Sequence, residues 1–227
     1  CALPIFWHVE NTLSIMPSHA AEFAQLLYAL RVSAPFTLGN HVIAPLVADF
    51  LQRHDQVRVD LQLTDSVVDL PGEGFDVAVR IGQVVNEGLV ARPLRPYRMV
   101  IAAAPAYLQR HGTPKRAADL ARHQCLSHSV WQRRVEWTLR DGDEEFFWPE
   151  NARLVCNQGD GLRQAALRGL GLIMQPEVLL ADDLASGALV PVMQPCLPAP
   201  RPVHLVYAPD RRQLPKLARL LPPAARR

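Results

Sequence analysis

Residues 68–82, V-D-L-P-G-E-G-F-D-V-A-V-R-I-G, carry the reading on which the fold rests. Pro71-Gly72 breaks the chain, and Phe75 to Ile81 then runs almost wholly apolar, the pattern of a strand covered on both faces. Arg80 closes that strand and Gly82 follows it. Upstream, Leu30 to Ala34 is a short apolar run ended by Pro35, and Thr37, Gly39 and Asn40 turn the chain toward a helix. Apolar positions Val42, Ile43, Leu46, Val47, Phe50 and Leu51 paint one helical stripe. Pro45 lacks the N–H that an interior turn needs, so the regular helix begins near it or bends there. Val57 to Leu63 alternates apolar and polar residues, which predicts an outer strand with one wet face. Val67 to Leu70 is expected as a helical turn, and Leu89 to Leu94 and Tyr97 to Ala103 as further strands. The first hundred residues thus alternate strand and helix, the grammar of an α/β domain with a mainly parallel sheet.

The remaining chain reads as a second α/β unit. Helix starts at Pro105 and Ala117 precede a strand from Gln124 to Ser127. Asp141-Gly142 is a hairpin signal between Trp131–Leu139 and Glu144–Trp148. Arg153 to Cys156 is a strand, Leu162 to Leu170 a helix, Leu172 to Met174 a buried strand, Pro176 the start of another helix, and Val190 to Met193 a last strand. A linker with Pro195, Pro198, Pro200 and Pro202 leads to a strand from His204 to Tyr207 and a closing helix from Leu214 to Leu221. That final pair has no sheet of its own and is expected to return to the first unit. Two lobes crossed twice by the chain form a clamp, and interdomain crevices are where small ligands bind.

Composition narrows the function classes. The 227 residues are 49% hydrophobic and 20% charged, an ordinary globular balance. No apolar run is long enough to span a bilayer and no signal-peptide pattern opens the chain, so a cytoplasmic location without a membrane partner is expected. Basic and acidic residues, 24 against 22, leave +2, too little to hold a polyanion by charge alone. Cys1, Cys125, Cys156 and Cys196 lie far apart and read as reduced thiols.

Several segments together resemble the effector-binding domain of LysR-type transcriptional regulators. They are R-V-S-A-P-F-T-L-G (31–39), A-P-L-V-A-D-F-L-Q-R-H (44–54), V-R-V-D-L-Q-L-T-D (57–65), the opening stretch 68–82, A-P-A-Y-L-Q-R-H-G-T-P (104–114), D-L-A-R-H-Q-C-L (119–126) and A-A-L-R-G-L-G-L (165–172). The resemblance implies two Rossmann-like lobes joined by a two-strand hinge, the type II periplasmic-binding-protein fold. Lobe I would comprise residues 31–103 plus 203–227, and lobe II residues 104–202. Residues 1–30 are atypical: Ser18 to Leu30 is compatible with a short helix, but no winged helix-turn-helix or long linker helix is recognisable. The implied partners are therefore a small-molecule effector and further copies of the chain, as homodimer or tetramer. DNA would be bound only through a winged helix-turn-helix not present in this chain. The implied activity is sensing, not catalysis, without cofactor or metal.

The same resemblance implies that effector contacts come from loops at strand carboxyl ends: Ser33, Pro35, Phe36, Thr37, Thr64, Asp65, Arg80, Gly82, Ala103, Ser127, Ser129, Asn157, Gly159 and Asp160. Hydroxyls and free amides at helix starts favour an anion, and a carboxylate is compatible with them. Two readings stand for each key residue. Ser33 and Thr37 either cap a helix or touch ligand. Arg80 either clamps a carboxylate or pairs with Asp76, Asp65 or Asp69. Asp160 would, as a cap, occupy the amides of its helix and repel an anion. Gly159-x-Gly161 is no dinucleotide fingerprint, because Gln164 holds the third position. His123, Cys125 and His128 cannot converge on a metal from one strand, so a packed thiol between two histidines is expected. Trp131, Trp137, Phe146, Phe147 and Trp148 are expected to fill the second core, with Trp131 a candidate for an aromatic effector. The competing class is a transport solute-binding protein of the same fold, Cys1 being similar to the acylated cysteine of a mature lipoprotein. An apolar Ala2-Leu3-Pro4-Ile5-Phe6-Trp7 is unlike the polar tether of such proteins. An enzyme on this scaffold would need a reactive pair, and none can be singled out.

Overall fold

The computed structural model describes residues 30–55, 57–84, 88–130 and 137–209. The chain divides into two compact units, residues 1–96 with 201–227 and residues 97–200. The first is a five-stranded sheet in the order Val59–Leu63, Leu30–Ala34, Val77–Ile81, Arg201–Tyr207 and Val90–Tyr97. β1 (Leu30–Ala34) lies parallel to both β2 (Val59–Leu63) and β3 (Val77–Ile81). β12 (Arg201–Tyr207) returns antiparallel to β3, with His204 opposite Arg80. β2 takes an edge, as its alternation requires. The other edge is β4 (Val90–Tyr97), which carries Pro93 and Pro96, residues that sheets confine to their edges because they lack an N–H for the ladder. Arg92 Nε ties β4 to β12 through the Tyr207 hydroxyl at 3.1 Å.

Both faces of β3 are covered. Val77 packs with Leu30, Val32, Tyr207 and Ile43 on one side, while Ala78 packs with Val68, Leu70 and Phe75 on the other. This explains the continuous apolar run in F-D-V-A-V-R-I. The turn expected at Val67–Leu70 lies at Leu70–Gly74 instead, because Val68 and Leu70 are drawn into that core and Pro71-Gly72 does the turning. After β1, one helical turn (Phe36–Leu38) and a wider π-helical stretch (Gly39–Ile43) lead into α1 (Ala44–Arg53). Pro45 stands at the start of α1, directly after the π-helical stretch, where the hydrogen-bond ladder changes pattern.

The second unit holds a three-stranded sheet, β10-β5-β11, formed by β5 (Met99–Ala103) between antiparallel β10 (Ile173–Pro176) and β11 (Val190–Val192). The strand Tyr97–Ala103 was expected in the first lobe. The correction has a nonlocal cause: β5 is fully buried as the centre of the second sheet, so the chain changes unit at Tyr97 and not after Ala103. α2 (Pro105–His111) follows. Beside this sheet, parallel β6 (Ser127–His128) and β9 (Val155–Cys156) precede α3 (Gly159–Leu167), and α4 (Glu177–Ser186) follows β10. Leu162, Ala166, Leu179 and Leu180 from the two helices share a core with Val100, Ala102 and Ile173 of the sheet. Arg163 grips Asp183 through two hydrogen bonds, Nε at 2.5 Å and Nη2 at 2.8 Å, and so clamps α3 to α4.

The hairpin β7 (Leu139–Asp141) and β8 (Glu144–Phe146) turns at Gly142-Asp143, one residue later than expected. Only Gly142 has positive φ (65°), the II′ pattern. Trp137 is buried and Trp148 Nε1 donates to the Leu126 carbonyl at 2.9 Å. Phe147, expected in the core, is half exposed, since a two-stranded hairpin leaves one face open. Pro202 belongs to β12 and not to the linker. Leu30 begins β1, whereas the expected helices Ser18–Leu30 (up to Ala29) and Leu214–Leu221, and Trp131, lie outside the described residues.

Candidate functional site

In the first unit, the pleat sends Ser33, Ala78 and Arg80 to one face, because Ser33 and Ala78 are register partners and Arg80 lies two residues on. The separation along the strand is about 7 Å, two residues of rise. The Ser33 side chain is fully buried, and its Oγ has no hydrogen-bond partner among the described residues. Ser33 is not a helix cap. It lies inside β1, and the helical turn after it starts at Pro35 with no side-chain cap; Thr37 sits within that turn. The exposed Phe36 amide is taken by Asp65 Oδ1 at 3.1 Å. Thr64 is occupied too, its hydroxyl accepting from the Ser66 amide at 3.1 Å.

Arg80 Nη2 is likewise buried without a partner among the described residues. The expected ion pairs do not form among the described residues. Asp65 serves Phe36, and Asp76 accepts from the Arg31 amide at 3.0 Å. Burial disfavours the charge on Arg80 and lowers its pKa, and the field of Glu73 opposes this. A guanidinium nevertheless stays protonated at neutral pH. Arg31, two residues before Ser33 on the same face, shows what a structural arginine looks like here. Its Nε bonds Asp60 at 3.1 Å, its Nη1 bonds the Glu73 carbonyl at 2.6 Å, and it lies over Phe75 at 4.8 Å. Among the described residues, Arg80 Nη2 has no such partner. Gly82 is engaged at both backbone groups, donating to the Pro202 carbonyl at 2.8 Å and facing His204 Nδ1 through its own carbonyl at 3.1 Å.

In the second unit, Ser127 Oγ donates to the Pro149 carbonyl at 2.9 Å, the Ser129 amide donates to Cys156, and Ala103 is buried opposite Val190. Asn157 is exposed just before α3. Asp160 is not the cap of α3: Gln158 holds that position without a side-chain bond, and Asp160 lies in the first turn. Gly159 is required by close approach, since a Cβ there would stand 2.5 Å from Gln175 Oε1 and 2.7 Å from Leu179 Cδ2. The structure therefore brings Ser33 and Arg80 together as unpartnered polar groups, whereas Thr64, Asp65, Gly82 and Ser127 already have structural bonds.

His123, Cys125 and His128 do not form a metal centre, and the described residues contain no cluster suited to one. Cys125 is buried with its thiol pushed up to about 12. The Tyr107 hydroxyl accepts from the Gln124 amide at 2.8 Å and meets His123 Nδ1 at 3.1 Å. Among the described helices none is long and apolar enough to cross a membrane.

Residues 24–222 match the family model of the LysR substrate binding domain. The chain belongs to that family. It is 30% identical over 186 residues to an uncharacterized HTH-type transcriptional regulator of Haemophilus influenzae, covering 82% of this chain and 64% of that protein. It is also 30% identical to the HTH-type transcriptional regulator CrgA of Neisseria meningitidis, covering 80% of this chain and 61% of CrgA. The solved structure of the CrgA regulatory domain superposes with a TM-score of 0.75 at 29% identity, over 86% of this chain and 95% of that one. Full-length AphB of Vibrio cholerae gives 0.76 at 26%, over 85% and 65%. The chain thus spans a little over three-fifths of the full-length relatives it matches. The LysR effector domain is a regulatory module, not an enzyme, and its mixed α/β fold is the one described above.

Gln175, which the sequence reading left aside, is the remaining buried side chain whose polar atoms lack partners among the described residues. Its signal was available: a glutamine directly after the apolar run Leu172–Met174, at a position where the pleat points it inward with Ile173.

Proposed function

We propose that this LysR effector domain senses a small organic anion, with Arg80 and Ser33 receiving the anionic group and the unit-2 residues Ser129, Asn157 and Gly159 contributing to the rest of the ligand. The observation that carries the reading is the pair of buried, unpartnered groups on one face of the first sheet. Native folds rarely leave such groups unsatisfied, and a carboxylate on the planar guanidinium fork would satisfy both. In this reading the effector acts on an equilibrium between two states of the domain. Binding shifts that equilibrium by its differential affinity, typically about 1–3 kcal/mol of coupling. The domain assembles as a homodimer or tetramer in the cytoplasm. DNA is bound by a winged helix-turn-helix of the longer protein, whose transcriptional output the effector controls. Support comes from the family match and from relatives that are themselves transcriptional regulators.

The test is a thermal-shift screen of small carboxylates against the wild type and Arg80→Met. A carboxylate at a hundred times its Kd stabilises by about 2.7 kcal/mol, which the Met variant should lose. Equal shifts in both proteins would remove Arg80 from the site.

A further inference from the structure

We infer that Gln175 is a specificity-determining residue of the effector site, its side-chain amide pairing with a carboxamide of the ligand at the amino end of α3. The inference rests on the sensing role above, shares Asn157 and Gly159 with it, and adds Gln175, which that reading does not use.

Gln175 lies on β10 opposite Val100, on the face that carries the apolar core of the second unit. It is 1% exposed, and both Oε1 and Nε2 lack hydrogen-bond partners among the described residues. A leucine or methionine would fill this place at no polar cost, so the fold itself has no use for the amide. The head group is aimed at the first turn of α3, with Oε1 against Gly159 where a Cβ would otherwise stand. That turn opens a nine-residue helix, has no side-chain cap at Gln158, and presents the backbone N–H groups that no intrahelical carbonyl can reach. Exposed Asn157 lies at its rim.

The chemistry of these groups selects the ligand group. Amide N–H donors at the helix start ask for an acceptor oxygen. Gln175 Nε2 asks for the same, while Oε1 asks for a donor. A carboxylate would meet the Oε1 lone pairs with its own and would add a second negative charge beside Asp160 in the first turn. A carboxamide meets every requirement. Its carbonyl oxygen accepts from Nε2 and from a first-turn N–H, and its N–H donates to Oε1, in a reciprocal two-bond pair. The second unit therefore reads a neutral amide, as the first reads an anion.

The experiment follows the full chain by ¹⁵N NMR during titration with acetamide or acetate at equal millimolar concentrations. Acetamide is expected to move the Gln175 side-chain amide and the backbone amides of Gly159, Asp160 and Gly161, and acetate to move them less. Gln175→Leu is expected to abolish the acetamide response at Gly159–Gly161 and to raise the Tm of the ligand-free protein, with Gln175→Met as the second variant should Leu fold poorly. The inference is overturned if acetamide moves none of these signals, if the response persists in the variants, or if both variants lower the Tm. Failure here beside an intact Arg80-dependent carboxylate shift would sink only the amide pairing. Loss of the carboxylate shift with the acetamide response retained would sink the anion reading alone.

Discussion

Replacing Arg163 with methionine keeps the aliphatic stem on α3 and removes the guanidinium that grips Asp183. Asp183 would then be a carboxylate whose side chain is 8% exposed, left without its bidentate cation. Asp160 and Asp182 lie near enough to favour the charge on Arg163, so the loss leaves three acidic groups without that compensation. Breaking a buried pair costs about 3–5 kcal/mol, and the partial exposure of Arg163, 24%, places the expected loss at the lower edge, about 2–3 kcal/mol. For a chain of this length that lowers Tm by about 4–12 °C. Urea and thermal unfolding of the single variant and of Arg163→Met/Asp183→Leu provide the assay. The double variant should recover most of the loss, because no charge stays buried. A single variant within about 0.5 kcal/mol of wild type, or a double no better than the single, would refute the reasoning.

Gly171→Ala should destabilise the second unit by about 2–3 kcal/mol, since the added Cβ collides with the Gln124 backbone carbonyl that accepts from Leu172; urea unfolding measures it, and a neutral effect would show that the bridge between Cys125 and Leu172 yields easily. His123 is held neutral, its pKa lowered from 6.5 first by burial and then by His111, against the pull of Asp119. Below 6.5 the unfolded chain therefore binds this proton more readily than the folded one, so stability should fall as pH drops through that value and its folded counterpart. His123→Gln should flatten this part of the pH–stability curve; an unchanged slope would assign it to other groups. Cys125, with its thiol raised to about 12, should resist alkylation in the native state at neutral pH, and rapid labelling monitored by mass spectrometry would contradict its burial.

Much of the fold was legible because burial leaves periodic marks. The run F-D-V-A-V-R-I read as a strand covered on both faces, and alternation marked Val57–Leu63 as an edge. Pro45 announced the start of regular helix. Membership of Met99–Ala103 was misassigned because nothing local tells a strand which sheet it will join; its partners lie some seventy to ninety residues away, as its pairing with Ile173–Pro176 and Val190–Val192 shows. The site was legible as residue types but not as roles. Thr64, Gly82 and Ser127 look like ligand groups in sequence, and the structure adds that each already makes a hydrogen bond within the fold. Arg31 and Arg80 are equivalent by composition, and their difference is a matter of which carboxylates and carbonyls the fold brings within reach.

The guanidinium of Arg80 itself is the most direct reporter of the account. Its side-chain ¹⁵N signals, followed as the carboxylate giving the greatest thermal stabilisation is added, should shift and sharpen in proportion to occupancy, while those of Arg31 stay fixed. Saturating stabilisation with the Arg80 signals unmoved would contradict the claim that this buried fork is where the effector's charge is received.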